Sequence, residues 1–150
     1  MLDATLPARP VQAPAAPFFR ERLSRPGAVL APMAGFTDAP FRMLCREAGA
    51  LWAVTEMVSS LGIVYTGKKS FQVGEPYPGE PDLVIQVFGS DPAAMGEAGA
   101  MLVDAFHPAA LDINMGCPVP KVVKGGGGSC LLRTPELAHD VTAALVRAVP

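Results

Sequence analysis

Short apolar runs separated by helix-sized amphipathic stretches set the rhythm of the chain from residue 27 onward. GAVLAPMAG (27–35), LWAVTEM (51–57), LVIQVFG (83–89) and ALDIN (110–114) are too short for surface helices and read as buried strands. Helix signals lie between them. Thr37 offers a side-chain oxygen to cap TDAPFRMLCREAG, with Pro40 in the first turn, where its missing N–H costs little, and Gly49 as the stop. A short helix is expected from about Ser59, followed by a polar connector, TGKKSFQVGEPYPGEPD. Asp91-Pro92 opens a helix through about Phe106, and Thr134-Pro135-Glu136 opens LAHDVTAALVRAV. Four strands alternating with four helices every 25–30 residues or so call for parallel pairing through crossovers, an α/β layer or barrel. A complete (β/α)8 barrel needs about 250 residues. The expectation is therefore the N-terminal half of a TIM barrel, truncated before strand five, in residues 25–150, behind a flexible Ala/Pro-rich tail at 1–24.

Composition adds limits. Half the residues are apolar and 17 % are charged, enough to bury a core. A net charge of −2 excludes a chain that grips nucleic acid through bulk positive charge and leaves room only for a local basic patch. Cys45, Cys117 and Cys130 are odd in number and lack the close pairing of a zinc ribbon or a disulfide framework, so reduced thiols, no metal and a cytoplasmic location are expected. Asp3 and repeated prolines break up the start, which lacks the form of a secretory signal, and no run of about 18 apolar residues predicts a membrane span.

In a parallel β/α array the carboxyl ends of the strands share one rim, and that rim carries the chemistry. The residues least suited to a core fall there: Pro32-Met33-Ala34-Gly35, Thr55-Glu56-Met57, Gln86, and Asn114 followed by Cys117. Burying the Gln86 amide without partners would cost on the order of 1–3 kcal/mol. Either neighbouring backbone or a heterocycle with carbonyl and N–H edges must meet it. Ala34 and Gly35 leave room for a flat ring to approach the backbone, while Met33 and Met57 are either adaptable surface against that ring or plain core.

LAPMAGFTDAPFR, TEMVSS, VIQVFGSDP and DINMGCPVPKVVKGGGGSCLLRTP resemble the tRNA-dihydrouridine synthases, flavoproteins that reduce selected uridines in tRNA. The resemblance runs from about residue 27 to the end and rests on APMAG-TD and NMGCP-KV occurring together, in order. It implies FMN against Pro32, Met33 and Ala34, with the Gln86 amide on the isoalloxazine edge. It further implies NADPH or NADH as reductant, Asn114 beside flavin and target base, Cys117 as proton donor, and tRNA as partner. The family's later parts are absent from these residues: a lysine after strand five, a later histidine, phosphate-binding loops at strands seven and eight, and a C-terminal helical domain that holds tRNA. The 150-residue chain alone is therefore expected to be inactive.

Saturating the C5–C6 bond of uracil takes a hydride at C6, which a reduced flavin gives, and a proton at C5. Unperturbed thiols titrate near pH 8.5, so they are mostly protonated at neutrality yet able to release the proton, which suits a general acid. A nucleophilic role would need a base, and His107, before strand four at the opposite rim, and His139, inside a helix, are badly placed. Cys45 and Cys130 read as structural. Lys124-Gly125-Gly126-Gly127-Gly128-Ser129 lacks the Gly-Lys-Ser/Thr ending of a phosphate loop and reads as a flexible segment. Lys121, Lys124 and Arg133 beside it either contact RNA backbone or are simply solvated. Two rival readings stand: a dihydroorotate or dihydropyrimidine dehydrogenase acting on free small molecules, and an inactive half-barrel that associates through its strand edges.

Overall fold

A computed structural model describes residues 17–149. Helix α1 (Pro17–Leu23) and helix α2 (Ala39–Glu47) precede a parallel sheet of β1 (Val58–Ser59), β2 (Val84–Phe88) and β3 (Ala110–Ile113), ordered β1-β2-β3. The connections carry α3 (Ser60–Thr66), α4 (Lys68–Gly74) and α5 (Pro92–Phe106). After β3 come α6 (Pro120–Val123), a 3-10 helix (Gly128–Arg133) and α7 (Pro135–Ala148). Register pairs Val58 with Val87 and Gln86 with Asp112. A parallel sheet with helical crossovers is compatible with part of a β/α barrel, the architecture expected from the alternation.

The core lies between β2 and the α5–α7 pair. Ile85 and Val87 meet Met95, Ala98 and Leu102 of α5 and Val141 and Leu145 of α7. Each such side chain contributes about 1.5–3 kcal/mol when fully buried. Two glycines let the helices close in. A Cβ on Gly99 would lie 2.2 Å from Leu145 Cδ1, and one on Gly96 would lie 3.2 Å from the Ala144 carbonyl oxygen. Asp91 caps α5 as expected, its carboxylate accepting from the Ala94 N–H at 3.0 Å.

The first two expected strands are not regular. Leu30 forms a single parallel bridge to Ala53, Val54 one to Val84, and a two-residue strand appears only at Val58–Ser59. Two residues break the ladder. Pro32 has no N–H to give. The Gln86 N–H donates to the Thr55 hydroxyl at 3.2 Å, where a regular strand pair would offer a carbonyl.

Other expectations shift. Asp38, not Thr37, caps α2, accepting from the Phe41 N–H at 3.0 Å. Thr37 is buried, and its hydroxyl accepts from the Met33 N–H and donates to the Met33 carbonyl, at 3.1 and 3.2 Å. The polar connector contains α4, held by Phe71 edge-on to Phe106 with centroids 5.9 Å apart. Residues 17–23, inside the expected tail, are helical. Phe19 meets Trp52 edge-on at 5.7 Å, and Arg22 pairs with Asp82. The remainder of that tail, residues 1–16, lies outside the described residues.

The glycine-rich run also departs from expectation, being folded into turns and the 3-10 helix. Gly126 and Gly128 adopt φ of 80° and 58°, and the Ser129 N–H donates to the Cys117 carbonyl at 3.0 Å. Among the described residues, no helix is long and apolar enough to cross a membrane, and no group of three His, Cys, Asp or Glu is placed to hold a metal.

Candidate active site

The ends of β2 and β3 border a cavity of about 310 Å³ at the carboxyl edge of the sheet. Pro32, Ala34, Met57, Gln86, Asn114, Gly116, Cys117 and Val119 line it. Six residues singled out from strand ends thus meet: Pro32, Ala34, Met57, Gln86, Asn114 and Cys117. Met33 does not line the cavity. The residue is 41 % exposed, and the Thr37 turn engages its main chain.

Each wall has its own support. The Pro32–Ala34 turn is tied at Gly35, whose N–H donates to the Glu56 carboxylate and whose φ of 81° favours glycine. A Cβ on Gly35 would meet no protein atom within 4 Å, so the left-handed backbone conformation is what favours glycine within the protein itself. Behind the turn, Arg42 donates to the Thr37 carbonyl at 2.9 Å and to both carboxylate oxygens of Glu80 at 2.7 and 2.8 Å. Side-chain exposure of that ion pair is 1 % and 2 %.

Opposite, Gln86 sits on the central strand with 6 % exposure and finds side-chain partners at both ends of its amide. Its Nε2 donates to Asp112 Oδ2 at 2.6 Å, and its Oε1 accepts from Asn114 Nδ2 at 2.9 Å. The need for partners was legible; that the side chains of Asp112 and Asn114 supply them was not. Asn114 in turn accepts at Oδ1 from the N–H groups of Cys117 and Gly116, at 3.0 and 3.3 Å. Cys117 is half-buried at the end of this chain of bonds. A Cβ on Gly128 would stand 2.5 Å from the Cys117 carbonyl oxygen, so the close approach requires glycine there.

Sequence reasoning missed Asp112 as the partner of Gln86. Asp112 had a signal. It lies two residues before Asn114 on one strand, so both share a face, and it stands opposite Gln86 in register.

A second cavity of about 440 Å³ adjoins the first, sharing Met57 and Val119 and bringing Ser60 and Lys121 into its wall. Lys124 and Arg133 are exposed outside both. His107 caps α5 in a left-handed conformation at the start of β3, and His139 pairs with Asp140 on α7. Neither borders the thiol.

A parallel β/α array that delivers two amides and a half-buried thiol into one cavity at its carboxyl edge defines an enzyme-like rim site. A family model described as Dihydrouridine synthase (Dus) matches residues 29–150, and the chain belongs to that family. It is 40 % identical over 119 residues to a probable tRNA-dihydrouridine synthase of Treponema pallidum, covering 79 % of this chain and 35 % of the relative. With tRNA-dihydrouridine synthase B of Xanthomonas campestris it shares 44 % over 126 residues, 83 % of this chain and 37 % of the relative. With the Pseudomonas aeruginosa enzyme of that name the figures are 43 % over 125 residues, 81 % and 36 %. The chain thus spans roughly a third of the length of these relatives.

Proposed function

We propose that this chain is the N-terminal half of the FMN-binding TIM barrel of a tRNA-dihydrouridine synthase, and that it supplies the proton donor and part of the flavin wall. The observation that carries the reading is the meeting of Pro32, Ala34, Gln86, Asn114 and Cys117 in one cavity. A primary amide has two N–H donors. Gln86 spends one on Asp112 and Asn114 one on Gln86, so each keeps a donor for the carbonyl edge of a flavin or a pyrimidine. The residues therefore fit FMN. When bound and reduced by NADPH or NADH, FMN supplies the hydride for C6 of the uridine. Cys117 gives the proton to C5 as general acid. Asn114 holds the thiol's loop through two backbone N–H groups, and Pro32 and Ala34 offer a low wall to a flat ring. The target base must leave its stack to reach this edge, at a cost of a few kcal/mol.

tRNA is the proposed partner, with Lys121 at the adjoining cavity as one contact for its backbone. The three free cysteines support a cytoplasmic location. The 150 residues alone are proposed to be inactive, since they span about a third of the relatives' length.

In the whole protein, Cys117→Ala is expected to keep bound FMN and its reduction by NADPH while losing most dihydrouridine formation on unmodified tRNA. Undiminished product would end the general-acid assignment. Turnover of free uracil or dihydroorotate, with tRNA untouched, would replace the proposed substrate by a small molecule.

A further inference from the structure

The amides of Gln86 and Asn114 form a chain whose polarity is fixed from outside. At one end stands the Asp112 carboxylate, which only accepts hydrogen bonds, 2.6 Å from Gln86 Nε2. At the other stand the N–H groups of Cys117 and Gly116, which only donate, at 3.0 and 3.3 Å from Asn114 Oδ1. Between them, Asn114 Nδ2 gives to Gln86 Oε1 at 2.9 Å. Turning either amide over would set oxygen against oxygen or N–H against N–H. The carboxylate thus fixes, from its end, which atom Gln86 shows to Asn114. That orientation leaves Asn114 Oδ1 facing the cysteine loop, in agreement with what the two loop N–H groups require.

We propose that Asp112 is a positioning residue. It lies three bonds of this chain away from the Cys117 loop, orients both amides, and thereby holds the loop and aims the two remaining amide N–H donors. The inference rests on the proposed function for its catalytic meaning, but the orientation itself depends on this chain's residues alone.

Asp112→Asn keeps an acceptor, since the new amide can turn its Oδ1 toward Gln86; Asp112→Leu fills similar space and has none. Iodoacetamide labelling of Cys117 in the full protein, read by mass spectrometry with Cys45 and Cys130 as internal references, separates them. Asp112→Leu is expected to change the Cys117 rate roughly tenfold through loss of coupling along the chain, with the other two cysteines unmoved. Asp112→Asn is expected to stay within about twofold of the native rate. Equal rates in all three proteins overturn the proposal, as does Asp112→Asn behaving like Asp112→Leu, which would mean that charge and not an acceptor is at work. Should Asp112→Leu fail to fold, Asp112→Ala takes its place with the same outcomes. Labelling needs neither flavin nor tRNA, so it stands if the proposed reaction fails. Native labelling in Asp112→Leu with intact dihydrouridine formation would remove the positioning role and leave the reaction in place.

Discussion

The two walls of the cavity are made of opposite materials. The wall of Gln86, Asn114 and Cys117 stands on β2 and β3, backed by Ile85, Val87, Met95, Leu102 and Val141, all fully buried. The wall of Pro32 and Ala34 hangs from a few polar contacts: the Thr37 hydroxyl, the Glu56 carboxylate and the Arg42–Glu80 pair. Its helix α2 leaves Phe41, Met43 and Leu44 exposed, and its chain makes isolated bridges instead of a strand. Packing spreads a load over many atoms, so no single side chain is decisive in its direction. Ion pairs and hydroxyls concentrate it, so one residue can carry a wall.

The contrast can be broken from the polar side first. Arg42→Ala removes the partner of Glu80 and strands the Thr37 and Glu75 carbonyls, and urea unfolding is expected to show a loss of about 3–5 kcal/mol. A loss near zero would mean that the Pro32 wall has other supports. On the apolar side, Leu102→Ala should cost about 2–5 kcal/mol by the same measurement, partly as a cavity. It should leave the turn at Pro32 unaltered, as hydrogen exchange of its amides would report. Gly128→Ala tests the seam between thiol and core. Left-handed strain and the approach to the Cys117 carbonyl should together cost about 1–3 kcal/mol, and faster Cys117 labelling is the specific signature.

The smallest effect is one of pH. Tyr77, beside the polar wall, has its phenol pushed above 10.0, first by burial and then by the Glu80 carboxylate. Folding therefore favours the neutral phenol. That contribution is complete below pH 10 and fades as pH rises through the folded value. An ultraviolet titration of phenolate should place Tyr77 above free tyrosine, and Glu80→Gln should move it back toward the ordinary range. No movement would leave burial as the whole cause.

The same division explains what could be read beforehand. β2, β3 and α5 were legible because their signals are redundant: continuous apolar runs, and an Asp91-Pro92 cap before small and apolar residues at helical spacing. The strands through Ala53 and Leu30 were misjudged because a proline and one threonine hydroxyl, each a single atom's choice, undo the ladder. Thr37 and Asp38 both offer a capping oxygen, and only the burial of Thr37 decides between them. At the site, strand-end position located Pro32, Ala34, Gln86, Asn114 and Cys117. Met33, singled out with them, lies outside the cavity lining and serves the turn through its main chain, and Asp112, which sequence reading passed over, gains its role only once β2 and β3 are set side by side.

Cys117 is tethered on both flanks, its N–H to Asn114 and its carbonyl to Ser129. The main chain there has little left to vary, and the sulfur keeps one rotor, the torsion between Cα and Cβ. Jumps about such a bond take picoseconds to nanoseconds at accessible sites. Turning the thiol toward or away from the cavity then requires no opening of the loop, and its timing is separated from the slower motions of the main chain.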